Sequence, residues 1–231
     1  LRLCNSAYYG LAQKVTSIDE AAKLLGVATL LKLVLEAHTR TVLAPPQAGY
    51  GLQPGWLWRH SIAVAVGSQR LAERINMRDE GMLFTAGLLH DIGKIILNEH
   101  VGGAYAQIIA LVREERLTFV EAESRVFGTT HAEVGALVAE RWELPAPLVR
   151  CVRYHHEPSR LSEPDPRVDV VHLADAACLL MGIGGGDDGQ FYRADQQALA
   201  RTGLKQADFE ALGVEIVTEL KQIEDAFASE S

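Results

Sequence analysis

Apolar residues recur every three to four positions along almost the whole chain, a spacing typical of amphipathic helices. No stretch shows the sustained alternation of apolar and polar residues that predicts a strand. The pattern therefore predicts an all-α protein built as a multi-helix bundle. The expected helices cover 17–25, 27–43, 56–75, 79–91, 101–115, 118–127, 131–145, 146–156, 166–182, 195–202 and 206–227.

A loop rich in proline and glycine, residues 45–55, divides this pattern near the first quarter of the chain. We expect residues 1–50 to form an N-terminal helical subdomain and residues 51–183 to form the main helical core. The glycine-rich stretch that follows indicates a flexible turn or linker. Residues 184–231 are expected to supply C-terminal helices that pack on the core.

Composition narrows the class of protein. Of the 231 residues, 48% are hydrophobic and 23% are charged, which is typical of a globular protein with a substantial core. A formal charge of −8 disfavours non-specific nucleic-acid binding, and no apolar run reaches the ~20 residues of a membrane span. Cys4, Cys151 and Cys178 form no Cys-x-x-Cys pair and are expected to be free thiols in a cytoplasmic protein.

The chemistry of the chain is concentrated around an adjacent histidine and aspartate, His90 and Asp91. Both side chains can reach one divalent metal where the backbone bends, and Gly93 allows such a bend. Imidazoles and carboxylates suit Fe, Mn, Zn or Ni. The candidate metal ligands are His60, His90, Asp91, His131, His155, His156 and Asp175. The other histidines, His38, His100 and His172, are interpreted as packing or surface residues.

The order of these residues resembles the HD superfamily of metal-dependent phosphohydrolases. That family shows a histidine, then a His-Asp pair, then a distant aspartate. The corresponding residues here are His60, His90, Asp91 and Asp175. The additional His131 and the sequence His155-His156-Glu157 resemble the branch that carries two or more metals, which includes the HD-GYP phosphodiesterases.

A second set of motifs resembles the HDOD family, the HD-related output domain of bacterial signalling proteins. The motifs are Cys4-Asn5-Ser6-Ala7-Tyr8-Tyr9-Gly10, Ser17-Ile18-Asp19-Glu20-Ala21-Ala22 and Leu24-Leu25-Gly26. The resemblance runs from residue 1 to about Met181. Because HDOD domains usually begin some tens of residues before the Asn-Ser motif, we expect the N-terminal subdomain to be truncated at its start.

The resemblance also implies roles for individual residues. The first metal would be bound by His60, His90, Asp91 and Asp175, with Asp91 bridging to a second metal bound by His131, His155 and His156. In an active enzyme, Asp91, Lys94 and His131 would be the catalytic residues, and Lys94 would contact a phosphate. Glu157 is interpreted either as a support for a ligand histidine or as an acid at a helix end.

Two departures separate the chain from the HD-GYP enzymes. Trp56 stands where some of them carry a glutamate for a third metal, and Pro158-Ser159-Arg160-Leu161-Ser162-Glu163-Pro164 replaces the Gly-Tyr-Pro signature. The leading hypothesis is a regulatory HDOD domain that binds two divalent metals, a phosphate-containing small ligand and a signalling protein. The alternatives are a phosphohydrolase acting on a nucleotide or cyclic nucleotide, and a helical interaction domain whose histidines brace the core.

Overall fold

The computed structural model describes residues 4–5, 15, 17–183 and 191–228. Within these ranges the chain forms eleven α helices, two short 3-10 helices and no strand. The predicted all-α fold is confirmed. The α helices are α1 (Ile18–Leu25), α2 (Val27–Leu43), α3 (Trp56–Arg74), α4 (Glu80–Leu89), α5 (Ile92–Glu115), α6 (Phe119–Phe127), α7 (His131–Arg141), α8 (Ala146–Tyr154), α9 (Pro166–Leu180), α10 (Gln196–Thr202) and α11 (Gln206–Ala228). The 3-10 helices are η1 (Ala48–Tyr50) and η2 (Pro158–Arg160).

Side-chain caps explain where several helices begin. At α1, the Ser17 hydroxyl accepts a hydrogen bond from the Glu20 N–H. At α6, Thr118 and Glu121 form a reciprocal capping box. Thr130 accepts from the backbone of α7 and so fixes the position of that helix's first residue, His131. These caps satisfy N–H groups that an α helix leaves without an internal partner.

Helix α3 is the centre of the main core. It packs against α2, α4, α9 and α11. A Cβ added to Gly87 of α4 would lie 2.7 Å from the Ala65 Cα, so α3 and α4 touch backbone to backbone. A Cβ added to Gly67 would lie 3.0 Å from the Ile216 side chain of α11. Glycines at these crossings therefore allow closer helix packing than larger residues would.

Helices α5 and α7 cross at a second pair of glycines. A Cβ added to Gly93 would lie 1.9 Å from the His131 carbonyl oxygen and 2.7 Å from the Gly135 nitrogen. The start of α5 is therefore pressed against the start of α7. This contact brings together Asp91, just before the start of α5, and His131, the first residue of α7.

The N-terminal region has its own small apolar cluster, formed by Cys4, Val15, Ala21 and Leu33. Asn5, from the predicted HDOD motif, donates its amide to the Val15 carbonyl (2.9 Å) and accepts from the Val15 N–H (2.7 Å). Ser6–Gly10 and the glycine-rich linker lie outside the described residues. The division at residues 50 and 183 stays a prediction.

The largest difference from the sequence prediction concerns α5. It begins at Ile92, immediately after the His-Asp pair, and not at residue 101. His100 therefore lies within this helix. Gly93, Gly102 and Gly103 weaken the helical pattern in this stretch, and the close contact with α7 requires Gly93 in particular. No single helix of the described residues is long and apolar enough to cross a membrane; only Glu80–Asn98 with Gly102–Glu115, taken together across a 117° bend, pass that test.

Candidate metal centre

The structure brings all seven candidate ligands into one cluster inside the helical core. They come from α3, the α4–α5 junction, the first residue of α7, the residues after α8, and α9. Six are buried and His156 is partly buried. The shortest approaches are 2.9 Å between the Nε2 atoms of His131 and His156, 3.0 Å from His60 Nε2 to Asp175 Oδ1, and 3.2 Å from His131 Nε2 to Asp91 Oδ1.

The cluster contains three sets of ligand atoms, and the atoms within each set all lie within 4.8 Å of one another. The sets are Asp91 with His131, His155 and His156; His60 with His90 and Asp91; and His90 with His155 and Asp175. Asp91 belongs to two of them. Its Oδ2 lies 3.3 Å from His90 Nε2 and its Oδ1 lies 3.7 Å from His155 Nε2. The carboxylate of Asp91 therefore faces both halves of the cluster.

Helix ends aim the ligands at this point. Helix α4 ends at Leu89 and α5 begins at Ile92, which leaves His90 and Asp91 at the junction. Helix α8 ends at Tyr154, directly before His155. These four candidate ligands, His90, Asp91, His155 and His156, therefore enter the cluster from helix ends.

Hydrogen bonds fix the orientation of the imidazole rings. The Nδ1 atoms of His60, His90 and His155 lie 2.9, 2.7 and 2.7 Å from the backbone carbonyls of Ile183, Gly87 and Val152. A carbonyl only accepts, so each Nδ1 donates. The Nε2 atom of each ring consequently points its lone pair towards the cluster when the ring is neutral.

With neutral rings, the Nε2 lone pairs and the carboxylate oxygens of Asp91 and Asp175 face one another in the cluster, and all of them are hydrogen-bond acceptors. Six buried polar atoms of the cluster have no hydrogen-bond partner among the described residues. They are His90 Nε2, Asp91 Oδ1, His155 Nε2, His156 Nδ1, Asp175 Oδ1 and Asp175 Oδ2. Buried polar groups are normally paired, and leaving one unpaired costs ~1–3 kcal/mol. A divalent cation would satisfy these atoms together, so the donor set fits Fe, Mn, Zn or Ni.

The electrostatics of the two aspartates favour cation binding. Burial opposes ionisation of Asp91, but the charges of His90 and Lys94 hold its pKa well below the usual range. Burial likewise opposes ionisation of Asp175, and the His60 imidazole, 3.0 Å away, lowers its pKa. Both carboxylates are therefore negatively charged at neutral pH.

The histidines fall into two groups. Burial and the neighbouring His90 lower the pKa of His155 to about 3, and burial and His155 lower the pKa of His156. Although burial opposes it, Asp175 raises the pKa of His60, and Glu123 with Asp91 raises that of His131 to about 9. The first pair is neutral at pH 7, whereas His131 is protonated at pH 7 and must release a proton when a metal binds.

Lys94 lies inside the site. Its Nζ is buried 2.7 Å from Asp91 Oδ2 and 5.8 Å from the centre of the Tyr50 ring. The ammonium group lines the cavity beside the cluster. It is thus within reach of a small anion there, and a phosphate contact stays a prediction.

The cavity beside the cluster is narrow. Its volume is about 10 Å³, and Phe119, Leu179 and Tyr192 contribute to its wall. That volume holds about one water molecule. In this conformation the centre has room for ions and water, but no room for a nucleotide.

Glu123 on α6 also belongs to this site and was not among the candidate residues predicted from the sequence. It is fully buried and accepts hydrogen bonds from the His131 Nδ1 (2.7 Å) and the His131 backbone N–H (3.1 Å). An available signal was its position on the apolar face of α6, four residues after Phe119. A carboxylate on such a face requires a partner.

His172 was interpreted as a packing residue, and it makes specific hydrogen bonds. Its Nδ1 donates to the His155 carbonyl (2.6 Å) and its Nε2 accepts from the Asp195 N–H (2.7 Å). It therefore holds the backbone of a candidate ligand. Glu157 instead pairs with Arg160 at the surface (2.8 Å), away from the ligand histidines.

Comparison with known proteins adds a family match. The sequence model of the HDOD domain family matches residues 1–158. A solved HDOD domain protein of unknown function from Geobacter sulfurreducens is 29% identical, with a TM-score of 0.75 over 97% of this chain and 78% of that chain. A candidate phosphohydrolase from Shewanella amazonensis SB2B is 25% identical, with a TM-score of 0.70 over 96% of this chain and 80% of that chain.

Two further similarities extend the comparison. A candidate signal transduction protein from Marinobacter aquaeolei VT8 shares the fold, with 21% identity and a TM-score of 0.72 over 96% of this chain and 52% of that chain. An uncharacterised protein of Treponema pallidum (strain Nichols) is 27% identical over 187 residues, which is 75% of this chain and 34% of that protein. This chain thus spans about a third of the length of the curated relative that it matches.

Proposed function

Because this chain belongs to the HDOD family, we propose that it is a regulatory domain whose conformation depends on bound divalent metal. The observation that carries this proposal is the buried cluster of unpaired ligand atoms beside a narrow cavity. A metal bound there would stabilise the folded chain, because the unfolded chain lacks the assembled site. A signalling partner would then recognise the metal-bound form.

The ligand sets support two metals. One would be held by His60, His90, Asp91 and Asp175, and the other by His131, His155 and His156, with Asp91 shared. When bound, such metals supply Lewis acidity and lower the pKa of bound water. The ionised carboxylates and the Nδ1 hydrogen bonds keep the donor atoms directed inwards before any metal arrives.

Two features favour regulation over catalysis. The cavity of about 10 Å³ leaves no space for a nucleotide. Pro158 and Arg160 lie in η2, in the stretch that replaces the Gly-Tyr-Pro signature, so the substrate loop implied by the HD-GYP resemblance is missing. The chain therefore retains the candidate metal ligands but lacks the elements that would shape a large substrate pocket.

Metal content tests the proposal. Protein purified without chelator, and protein loaded anaerobically with Fe, Mn or Zn, should carry about two metals per chain by elemental analysis, the stoichiometry of a two-metal centre. Asp91→Asn, which preserves shape but removes the shared charge, should carry fewer. Well under one metal per chain after anaerobic loading of the wild type would refute the proposal.

A second candidate function is phosphohydrolysis. It is favoured by Lys94, whose buried ammonium lines the cavity beside a full ligand set, and by the similarity to the Shewanella candidate phosphohydrolase. Lys94 would attract a phosphate oxygen and donate a proton to the leaving group, while His131, held by Glu123, would keep its Nε2 available as a metal ligand. Turnover of a generic aryl phosphodiester by metal-loaded protein, lost in Lys94→Met without loss of metal, would favour this function.

A further inference from the structure

The connection between α2 and α3 is held firmly against α5. Its turn η1 carries Gly49, whose N–H donates to Asn98 Oδ1 (2.9 Å). A Cβ added to Gly49 would lie 2.2 Å from the Asn98 carbonyl oxygen, so the turn touches the α5 backbone directly. Gln47 and Leu52 close the turn with two backbone hydrogen bonds of 3.1 Å. The turn is therefore docked directly on α5.

Tyr50 extends from this turn into the core. It is fully buried, and its ring lies 5.4 Å from that of Phe119. Its hydroxyl donates to Glu123 Oε1 over 2.6 Å, across 73 positions of sequence. The other oxygen of Glu123 accepts from His131. Among the described residues, all hydrogen bonds of this buried carboxylate connect the turn to a candidate ligand.

A carboxylate behind a ligand histidine fixes the tautomer and the ring orientation. With Nδ1 donating to Glu123, His131 Nε2 faces Asp91 at 3.2 Å. A cation bound to Nε2 makes the Nδ1–H a stronger donor, and hydrogen bonds in such a chain polarise one another. The bond from Tyr50 to Glu123 belongs to the same chain. The docking of the turn and the state of the centre are thereby physically connected.

We propose that Tyr50 and Glu123 are positioning residues that couple the metal centre to the 47–52 turn, so that metal binding holds the turn in its docked position. This inference rests on the proposed function, because it names the segment through which a bound metal would be sensed. The turn joins the N-terminal helices to the main core. Loosening it would change how α1 and α2 are held.

Hydrogen–deuterium exchange of the peptide containing residues 47–52 tests the coupling, with manganese and with chelator. In the wild type, metal should slow exchange of these amides about tenfold or more, as expected when a local opening is stabilised. Tyr50→Phe keeps the ring against Phe119 and removes only the hydroxyl. By linkage it should bind manganese about tenfold more weakly than the wild type, and at saturating manganese it should lose most of the metal-dependent slowing.

Asn98→Ala is the matched control for the turn, because Asn98 holds Gly49 without touching Glu123 or His131. Its turn should exchange faster in both states while the ratio between them is retained. If Tyr50→Phe keeps the wild-type ratio, the coupling is refuted and metal binding stands. If elemental analysis of the same wild-type sample shows no metal, both the coupling and the proposed function fail.

Glu123→Gln tests the second half of the connection. It preserves the shape of the side chain and should weaken metal affinity by ~10–100-fold. It should also shift the visible spectrum of the cobalt-substituted protein, since the ring of His131 is released. Glu140→Gln on α7 removes the same charge from an exposed side chain that pairs with Arg153, and should change neither. An unchanged affinity and spectrum in Glu123→Gln would remove Glu123 from the proposal.

Discussion

Divalent metal should raise the thermal midpoint of this chain strongly, and Asp91→Ala should abolish most of that rise. At a metal concentration of 100 times Kd, each site contributes ~2.7 kcal/mol to the free energy of unfolding, and two sites contribute ~5.4 kcal/mol. For a chain of this length, 1 kcal/mol corresponds to ~2–4 °C. We therefore expect a rise of roughly 11–22 °C in the wild type.

Asp91 is the sharpest place to perturb the centre, since its two oxygens face both halves. Oδ2 lies 3.3 Å from His90 Nε2 and Oδ1 lies 3.2 Å from His131 Nε2. Asp91→Ala also leaves the buried Lys94 ammonium without this carboxylate, and breaking a buried ion pair costs ~3–5 kcal/mol. The absolute midpoint of the variant will fall for that reason alone. The informative quantity is the difference between metal-loaded and chelator-treated protein, measured for each variant.

The assay is thermal unfolding followed by circular dichroism, with and without manganese or zinc. His172→Ala is the comparison variant, because His172 supports the His155 carbonyl without facing the centre. It should lose ~10–100-fold in metal affinity and keep a clear metal-dependent rise. Equal losses in Asp91→Ala and His172→Ala would show that the ligand assignment is wrong, and a wild-type rise below about 2 °C, less than 1 kcal/mol, would refute the whole argument.

Three further predictions follow from other parts of the molecule. Burial raises the pKa of Glu36 to about 7, against a usual value of 4.5. The folded chain therefore binds the proton more tightly than the unfolded chain and loses stability as pH rises between these two values. In urea unfolding, Glu36→Gln should be more stable than the wild type by up to ~3 kcal/mol at pH 8 and similar to it near pH 4.5. Gly93→Ala should destabilise the chain and weaken metal binding, because its Cβ would clash with the His131 carbonyl. Gly103→Ala in the same helix places its Cβ more than 4 Å from any other atom and should be neutral or slightly stabilising. Equal effects in the two variants would contradict the contact between α5 and α7. Metal-loaded protein should hydrolyse cyclic di-GMP weakly or not at all, because the narrow cavity cannot position its phosphate. Robust turnover that disappears in His90→Ala would place the enzyme function first.

The sequence carried much of the fold because helix periodicity and caps are local signals. Ser17 with Glu20, and Thr130 before His131, mark helix starts that the structure shows. The start of α5 was wrong because Gly93 has low helix propensity, while the packing of α5 on α7 favours a glycine there. Local preference and tertiary contact point in opposite directions at that residue.

The candidate ligands could be identified because their residue types and order are characteristic, even though their roles stay predictions. Glu123 and Tyr50 carry no such mark. The bond between them joins positions 73 residues apart, and periodicity indicates which face of a helix is buried without indicating what it contacts. The small size of the cavity depends on the same long-range packing and could not be predicted from the sequence either.

The spread of the ligands along the chain has a consequence for synthesis. His60 and Asp175 are 115 positions apart, and the cluster draws on five separate segments. At ~5–20 residues per second, roughly 6–23 s pass on the ribosome between the appearance of the first ligand and the last. Until then a nascent chain offers only fragments of the site, which hold metal weakly. If the chain binds metal as proposed, uptake would be a late event, and a chain stalled before α9 would lack the complete site.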